Sequence, residues 1–346
     1  MTPIGSLADT VVHWQRAHGR SSLPWQNTRD PYRVWLSEIM LQQTQVATVL
    51  GYYARFMDCF PDVRALAAAS EDAVLAQWSG LGYYSRARNL HKAARTVVAQ
   101  HGAVFPRTAA QLAQLPGVGR STAAAIAAFC YGERVAILDA NVRRVLARFF
   151  AFEQDLAHAA GERALWEKAS ELVPESEHDM PAYTQGLMDL GAGLCTPRRP
   201  ACTACPLASA CKARQSGEPE RFPIRSRKVL RRQETWWLSV LRDPDGRTWL
   251  HRRPASGIWA GLYCTPVFAD EKALAAHAAR LGATSSEALA PVRHALTHRE
   301  LVLRPVRTVL AESVHFKDPE GAWYEAQELS AIGLPAPLRS LLLRAA

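Results

Sequence analysis

Apolar positions recur at helical spacing through the first two hundred or so residues of the chain, and alternate only after that. Val46, Val49, Leu50 and Tyr53 follow the i, i+3, i+4, i+7 pattern of one buried helix face. Asp30-Pro31 reads as an N-cap followed by proline at the first helical position. Together they predict one helix running through Trp35, Ile39, Val46, Val49, Leu50 and Tyr53. Thr108, with Gln111 three residues on, predicts a capping box. Alanine-rich stretches at 65–69 and 123–128 suit close helix packing. Gly80-Leu81-Gly82 and Gly117-Val118-Gly119 each separate two helical patterns, as tight turns would. No strand is predicted before residue 230. Beyond it, 236–241 and 248–251 read as strands around an Asp243-Pro244-Asp245-Gly246 turn. A helix at about 270–281, strands near 301–310 and 322–325, and a helical segment at 337–343 complete a separate α+β region.

Length and composition agree with two or three globular domains. The chain has 346 residues, 48% hydrophobic and 21% charged, which excludes wholesale disorder. The longest purely apolar run, Ala123 to Tyr131, is nine residues, far short of a membrane span. Asp9, His13 and Arg16 interrupt the N-terminal stretch, so no signal peptide is predicted. The net charge of +9 favours a polyanionic partner. Residues 213–234, with Pro219, Pro223 and the bases Arg221, Arg225, Arg227, Lys228, Arg231 and Arg232, read as a basic linker, solvated or touching phosphates. The predicted organisation is therefore a helical part at 1–212, a linker at 213–234 and an α+β part at 235–346.

Four of the seven cysteines fall in one loop, spaced Cys195-x6-Cys202-x2-Cys205-x5-Cys211. Such thiols can converge on a structural zinc ion or on a [4Fe–4S] cluster. Only one pair has the spacing of a zinc knuckle, which favours the cluster. A second signal lies at 108–130. There Leu115-Pro116-Gly117-Val118-Gly119 leads into an alanine-rich helix, making a helix–hairpin–helix candidate whose free N–H groups suit a DNA phosphate. No Gly-x-x-x-x-Gly-Lys-Ser/Thr loop is present.

The hairpin, Asp139 and the four-cysteine loop occur in the order found in helix–hairpin–helix DNA glycosylases with an iron–sulfur loop, which the chain resembles. Within that group it resembles the MutY-type adenine DNA glycosylases. Leu23-Pro24-Trp25, the stretch from Trp35 to Val46, Gly80 to Tyr84, Leu138 to Val145 and Met188 to Ala192 carry the match. The resemblance implies a mostly α N-terminal helix–hairpin–helix glycosylase domain with an iron–sulfur loop, followed by a C-terminal α+β Nudix-like domain. It implies a [4Fe–4S] cofactor on Cys195, Cys202, Cys205 and Cys211. The implied partner is double-stranded DNA containing adenine mispaired with 8-oxoguanine or guanine. A monomer in the cytoplasm, nucleoid-associated in a bacterium, is expected.

The resemblance also assigns residues. Glu38 would protonate the adenine leaving group, and its apolar neighbours should raise its pKa, although the helix pattern alone leaves a solvated face open. Asp139 would stabilise the sugar cation, by charge or transient attachment, with Asn141 in support; on its own it reads as a helix N-cap. Leu23, Trp25 and Gln185 would form the adenine pocket. Gln43, Thr44, Leu81 and Tyr83 would contact DNA or fill the gap left by the flipped base, and Gly117, Val118 and Gly119 would hold the backbone. Thr297 and His298 match a lesion-touching loop in which Leu296 stands where the family has Phe. Bifunctional relatives carry Lys where this chain has Ser121, so strand cleavage is not expected. The C-terminal domain lacks the Arg-Glu-x-x-x-Glu-Glu helix of a hydrolysing Nudix domain. An endonuclease III-like pyrimidine glycosylase with lyase activity, and a non-catalytic iron–sulfur DNA-binding protein, are the competing readings.

Overall fold

The structure is a computed structural model that describes residues 6–226 and 231–344, the side chain of Arg344 excepted. Residues 227–230, with Arg227 and Lys228 of the basic run, lie outside the described residues. No helix among the described residues is long and apolar enough to cross a membrane. The chain divides into two compact units: Met1–Tyr53, Asp62–Ala67 and Lys92–Lys228 form one, and Ala54–Pro61, Ala68–His91 and Val229–Ala346 the other.

The first unit is helical among its described residues. It contains α1 (Leu7–His18), α2 (Pro31–Leu41), the start of α3 (Val46–Cys59), most of α4 (Val63–Ala68) and the C-terminal half of a longer helix that begins in the other unit. That longer helix is α6 (Ser85–His101); it follows α5 (Glu71–Trp78) of the second unit. Then come α7 (Ala109–Leu112), α8 (Arg120–Tyr131), α9 (Ala140–Phe150), α10 (Ala159–Glu171), α11 (Met180–Asp189) and α12 (Lys212–Gln215). Small residues set the closest approaches. Ala123 to Ala128 of α8 are all buried. A Cβ on Gly186 of α11 would stand 2.6 Å from Val11 Cγ1 of α1. Both features let backbones pack closely around Val11, Leu146, Met180 and Leu187.

The caps read from sequence are present, with one difference in extent. Asp30 accepts the Tyr32 N–H (2.9 Å), with Pro31 opening α2. Thr108 accepts the Gln111 N–H (3.3 Å) at α7; its hydroxyl donates to Gln111 Oε1 (3.0 Å), so the return half of the box is replaced. The single helix predicted from Asp30 through Tyr53 is in fact two. Gln43 adopts the left-handed region (φ 57°), which no α-helix tolerates, and α2 stops at Leu41. The polar run Gln42 to Gln45 is the joint.

The stretch before residue 227 also differs from a solvated tether. Ala213 and Phe222 (3% exposed) sit in the core of the first unit, and Leu156 N–H donates to Ile224 O (3.0 Å). Two apolar residues far apart in a basic stretch carry no periodic signal, so their burial could not be read locally.

The second unit is built on a sheet of order β3-β2-β1-β7-β5. Its strands are β1 (Arg232–Arg242), β2 (Thr248–Arg252), β3 (Tyr263–Cys264), β4 (Val267–Phe268), β5 (Ala283–Ala288), β6 (Val292–Ala295), β7 (Arg299–Leu310) and β8 (Gly321–Tyr324). Helices α13 (Glu271–Arg280) and α14 (Ala336–Arg344) complete it. The long strands β1 and β7 pair in parallel from Arg232↔Arg299 to Arg242↔Val309 and bury Leu238, Val240, Leu301 and Leu303. Pro305 has no N–H to give. It falls between the part of β7 paired with β6 and the part paired with β5. Strands β5 and β6 escaped the sequence reading because β5 is almost wholly exposed and the residues of β6, though alternately half-buried and exposed, are not alternately apolar and polar.

Residues 68–91 join this unit through polar ties. Ser79 Oγ and Tyr84 OH both donate to Leu334 O (2.8 and 3.0 Å), and Arg339 Nε donates to Ser79 Oγ (2.9 Å). Arg252 pairs with Asp72.

Candidate active site

Helices α2, α8, α9 and α11 and the loop before α2 surround two neighbouring cavities in the first unit. One, of about 560 Å³, is bordered by Leu23, Trp25, Glu38 and Gln185. The other, of about 630 Å³, is bordered by Glu38, Gln43, Thr44, Ser121, Asp139 and Asn141. Both volumes lie in the range of roughly 300–1,000 Å³ usual for small-molecule sites. Glu38 is on the wall of both, as are Arg20 and Met188.

The neighbourhood of Glu38 follows from its place on α2. Val34, Trp35, Ile39 and Met40 around it are buried, and the buried Ser37 hydroxyl donates to Val34 O (2.8 Å) rather than to a carboxylate. Burial, and then the charge of Asp139, raise the Glu38 pKa from an ordinary 4.5 to about 8. Glu38 itself is half-buried, on cavity walls rather than on a fully solvated face.

Asp139 is the N-cap of α9, and its Oδ1 accepts the Val142 N–H (2.7 Å). Burial raises its pKa, while the N–H groups of Val142 and Asn141 and the charges of Arg144 and Arg143 oppose that rise. Two acids thus share one site in unlike settings: Glu38 is raised by burial and a neighbouring charge, whereas at Asp139 hydrogen bonds and two guanidinium groups work against the rise that burial causes. Asn141 is held from two sides. Its Oδ1 accepts from Arg144 Nη2 (2.9 Å), and a Cβ on Gly191 would come within 2.5 Å of its Cβ. Ser121 Oγ accepts the Leu138 N–H (3.1 Å), a structural tie just before Asp139.

Trp25 packs edge-on against Tyr53 (centroids 5.1 Å apart) while bordering the first cavity, so core packing and a place on the cavity wall coincide in one ring. The α7–α8 turn has Gly117 at φ 75°, and Gly119 caps α8 without a side chain. Val118 is buried. This turn borders neither cavity, although Ser121 and Thr122, in the first turn of α8, border the second.

The remaining DNA candidates lie in the second unit. Leu81 is buried, whereas Tyr83 is 44% exposed and adopts φ 49°. Arg86 lies over the Tyr83 ring (5.5 Å) and donates to Gly82 O (3.1 Å). Thr297 and His298 form the exposed turn between β6 and β7, closed by Leu296 N–H to Arg299 O (2.7 Å).

Cys195, Cys202, Cys205 and Cys211 are half-buried thiols that border a single cavity of about 30 Å³ with Arg148. Arg148 Nη1 lies 3.3 Å from Cys195 Sγ and donates to Thr196 O (2.7 Å), and Nη2 donates to Pro197 O (2.9 Å). Among the described residues, no three His, Cys, Asp or Glu side chains are close enough to hold a single metal ion.

Sequence reading missed the pair Arg20–Asp189. The Asp189 carboxylate is buried and takes the Arg20 guanidinium at 2.6 Å. Its one local signal is an acid amid the apolar and small residues Leu187, Met188, Leu190 and Gly191.

Residues 36–171 match the family model for HhH-GPD superfamily base excision DNA repair proteins, and residues 237–344 match that for the NUDIX domain. The chain is similar to the adenine DNA glycosylase of Buchnera aphidicola from Acyrthosiphon pisum. The two are 33% identical over 340 residues, covering 97% of this chain and 96% of that protein. The Homo sapiens adenine DNA glycosylase is 37% identical over 317 residues, covering 76% of this chain and 57% of that protein. Among solved structures, a thermostable thymine-DNA glycosylase superposes with a TM-score of 0.55 at 30% identity, covering 60% of this chain and 95% of that one. An endonuclease III–DNA complex superposes at 0.51 with 19% identity over 60% of this chain and 94% of that one, a likeness of fold alone.

Proposed function

The chain belongs to the adenine DNA glycosylases of base excision repair, and from that premise we propose that it removes adenine mispaired with 8-oxoguanine, or with guanine, from double-stranded DNA without cutting the strand. The observation that carries this reading is the position of Glu38, an acid held neutral near pH 7 on the wall common to both cavities. The first cavity would take the flipped adenine against Leu23, Trp25 and Gln185. There Glu38 would give its proton to the base as the N-glycosidic bond breaks. Asp139, on the second cavity, would face the sugar and stabilise the cation left behind until water adds. Asn141 would hold the site's shape.

Gln43, Thr44, Leu81 and Tyr83 are proposed to contact the duplex, the Gly117–Gly119 turn its phosphates, and Thr297 with His298 the opposite lesion. The Nudix-like region would read DNA and hydrolyse nothing: α13 and its N-cap offer only Asp270 and Glu271. A monomer on DNA suffices for this scheme.

Cys195, Cys202, Cys205 and Cys211 would hold a [4Fe–4S] cluster. The support is four thiols on one cavity with a guanidinium beside Cys195; a four-iron cube is wider than one ion and does not require three ligands to meet at a point. Bound there, the cluster supplies a cross-link for the loop. Metal analysis of freshly purified protein should find iron and acid-labile sulfide in equal amounts, about four per chain. Zinc in their place would overturn the assignment.

Single-turnover excision from a duplex with adenine opposite 8-oxoguanine tests the activity itself. Breaks at the adenine are expected only after hot alkali, since Ser121 offers no amine for a Schiff base. Breaks at an oxidised pyrimidine without alkali would favour the endonuclease III-like reading instead.

A further inference from the structure

Asp189 is a buried carboxylate that nothing above uses. It lies where α11 runs on without a break into a π-helical turn, Leu190–Leu194, and it is only 5% exposed. Burying an acid there is costly unless it is well paired. Arg20 supplies the pairing: its backbone N–H donates to Oδ2 (2.9 Å), and its Nε and Nη2 reach Oδ1 at 2.7 and 2.6 Å. One further donor reaches the same oxygen. Gln185, one helical turn earlier on the same face of α11, gives its amide Nε2 to Oδ1 at 2.8 Å.

That last bond has a chemical consequence. A carboxylate only accepts hydrogen bonds, whereas a glutamine amide has a donor end and an acceptor end that exchange when it flips. Flipping Gln185 would set its carbonyl oxygen against Oδ1, so one N–H of the amide stays on Asp189 and the carbonyl oxygen stays turned away from it. The carbonyl end is the one left for a ligand, and Gln185 borders the same cavity as Glu38.

We propose that Asp189, fixed by Arg20, locks the Gln185 amide with its carbonyl as the acceptor for the exocyclic amine of adenine, and so makes the site reject 6-oxopurines. The proposal rests on the adenine-excision reading above and deepens it. Hypoxanthine keeps the imidazole ring of adenine, with its nitrogen for Glu38 to protonate, and the same glycosidic bond, but replaces the amine with a carbonyl. Against a locked Gln185 it places oxygen against oxygen. Asp189 is a positioning residue here, acting through Gln185.

The experiment uses the full chain. Single-turnover excision rates are measured for adenine and for hypoxanthine, each opposite 8-oxoguanine, in the wild type and in Asp189→Asn. The neutral amide at 189 can donate as well as accept, which frees Gln185 to flip. The adenine-to-hypoxanthine rate ratio is expected to fall about tenfold or more. The intrinsic difference between the two leaving groups cancels in comparing the ratios. A ratio unchanged while both rates fall together would mean Asp189 only holds the fold, and would overturn the proposal. Gln185→Met serves if the first variant does not fold. It removes both amide ends and should lower the ratio too; an unchanged ratio there also overturns the proposal. A wild type that excises no adenine would instead refute the functional reading, and the inference with it.

Discussion

Glu38→Gln should lose adenine excision by about 10³-fold while still binding the mispaired duplex. The glutamine keeps the size and polarity of the side chain but has no proton to give to the departing base. For the wild type the alkaline limb of the rate profile is set by burial and by the Asp139 charge, which hold Glu38 protonated up to about pH 8. The single-turnover rate should therefore decline as pH rises through about 8. In Glu38→Gln the residual rate should lack that decline. A full-rate variant, or one with the same alkaline decline, would remove Glu38 from the reaction.

The same raised pKa has a sign for stability. In the unfolded chain Glu38 ionises near an ordinary 4.5, but in the folded protein only near 8. Its contribution to stability is thus fully present below about pH 4.5 and is lost as pH rises through about 8. Glu38→Gln never ionises, so its melting temperature should gain on the wild type between pH 5 and pH 9. Stability gained and activity lost at one position is the pattern of a site kept for chemistry.

Asp139→Asn should lose excision by about 10³-fold or more with little change in melting temperature. The reason lies in its second task. Asp139 caps α9 through Val142, and asparagine caps a helix as well as aspartate does. The substitution removes the negative charge facing the sugar and keeps the cap. Asp139→Ala removes both, and should cost about 1 kcal/mol of stability in addition to the activity. Denaturant melts of the two variants beside their single-turnover rates separate the roles. Equal activity in wild type and Asp139→Asn would leave Asp139 a cap and nothing more. Because burial raises the Asp139 pKa, the acidic limb of the wild-type rate profile should lie above the ordinary aspartate range, and it should vanish in Asp139→Asn.

The local features of this protein were legible in its sequence because local chemistry sets them. Asp30 and Thr108 cap helices through N–H groups two or three residues away, and glycines mark the α5–α6 and α7–α8 turns. The long motifs around Glu38 and Asp139 pointed to the family that the relatives bear out. Other features depended on what lies across the fold. The four polar side chains of Gln42–Gln45 read as an interruption within one apolar helix, yet Gln43 takes a left-handed backbone and divides that helix in two. Phe222 looked like linker and is core. The parallel pairing of β1 with β7 joins strands separated by β2 to β6, which no local pattern specifies. The site shows the same division. Residue types at Glu38, Asp139 and Gln185 could be read along the chain. That Glu38 borders both cavities, that Asp139 faces it closely enough to raise its pKa, and that Asp189 holds Gln185 by one end were decided by tertiary packing. Burial and the distance between charges are properties of the folded neighbourhood, and they turn an ordinary glutamate into an acid that keeps its proton at neutral pH.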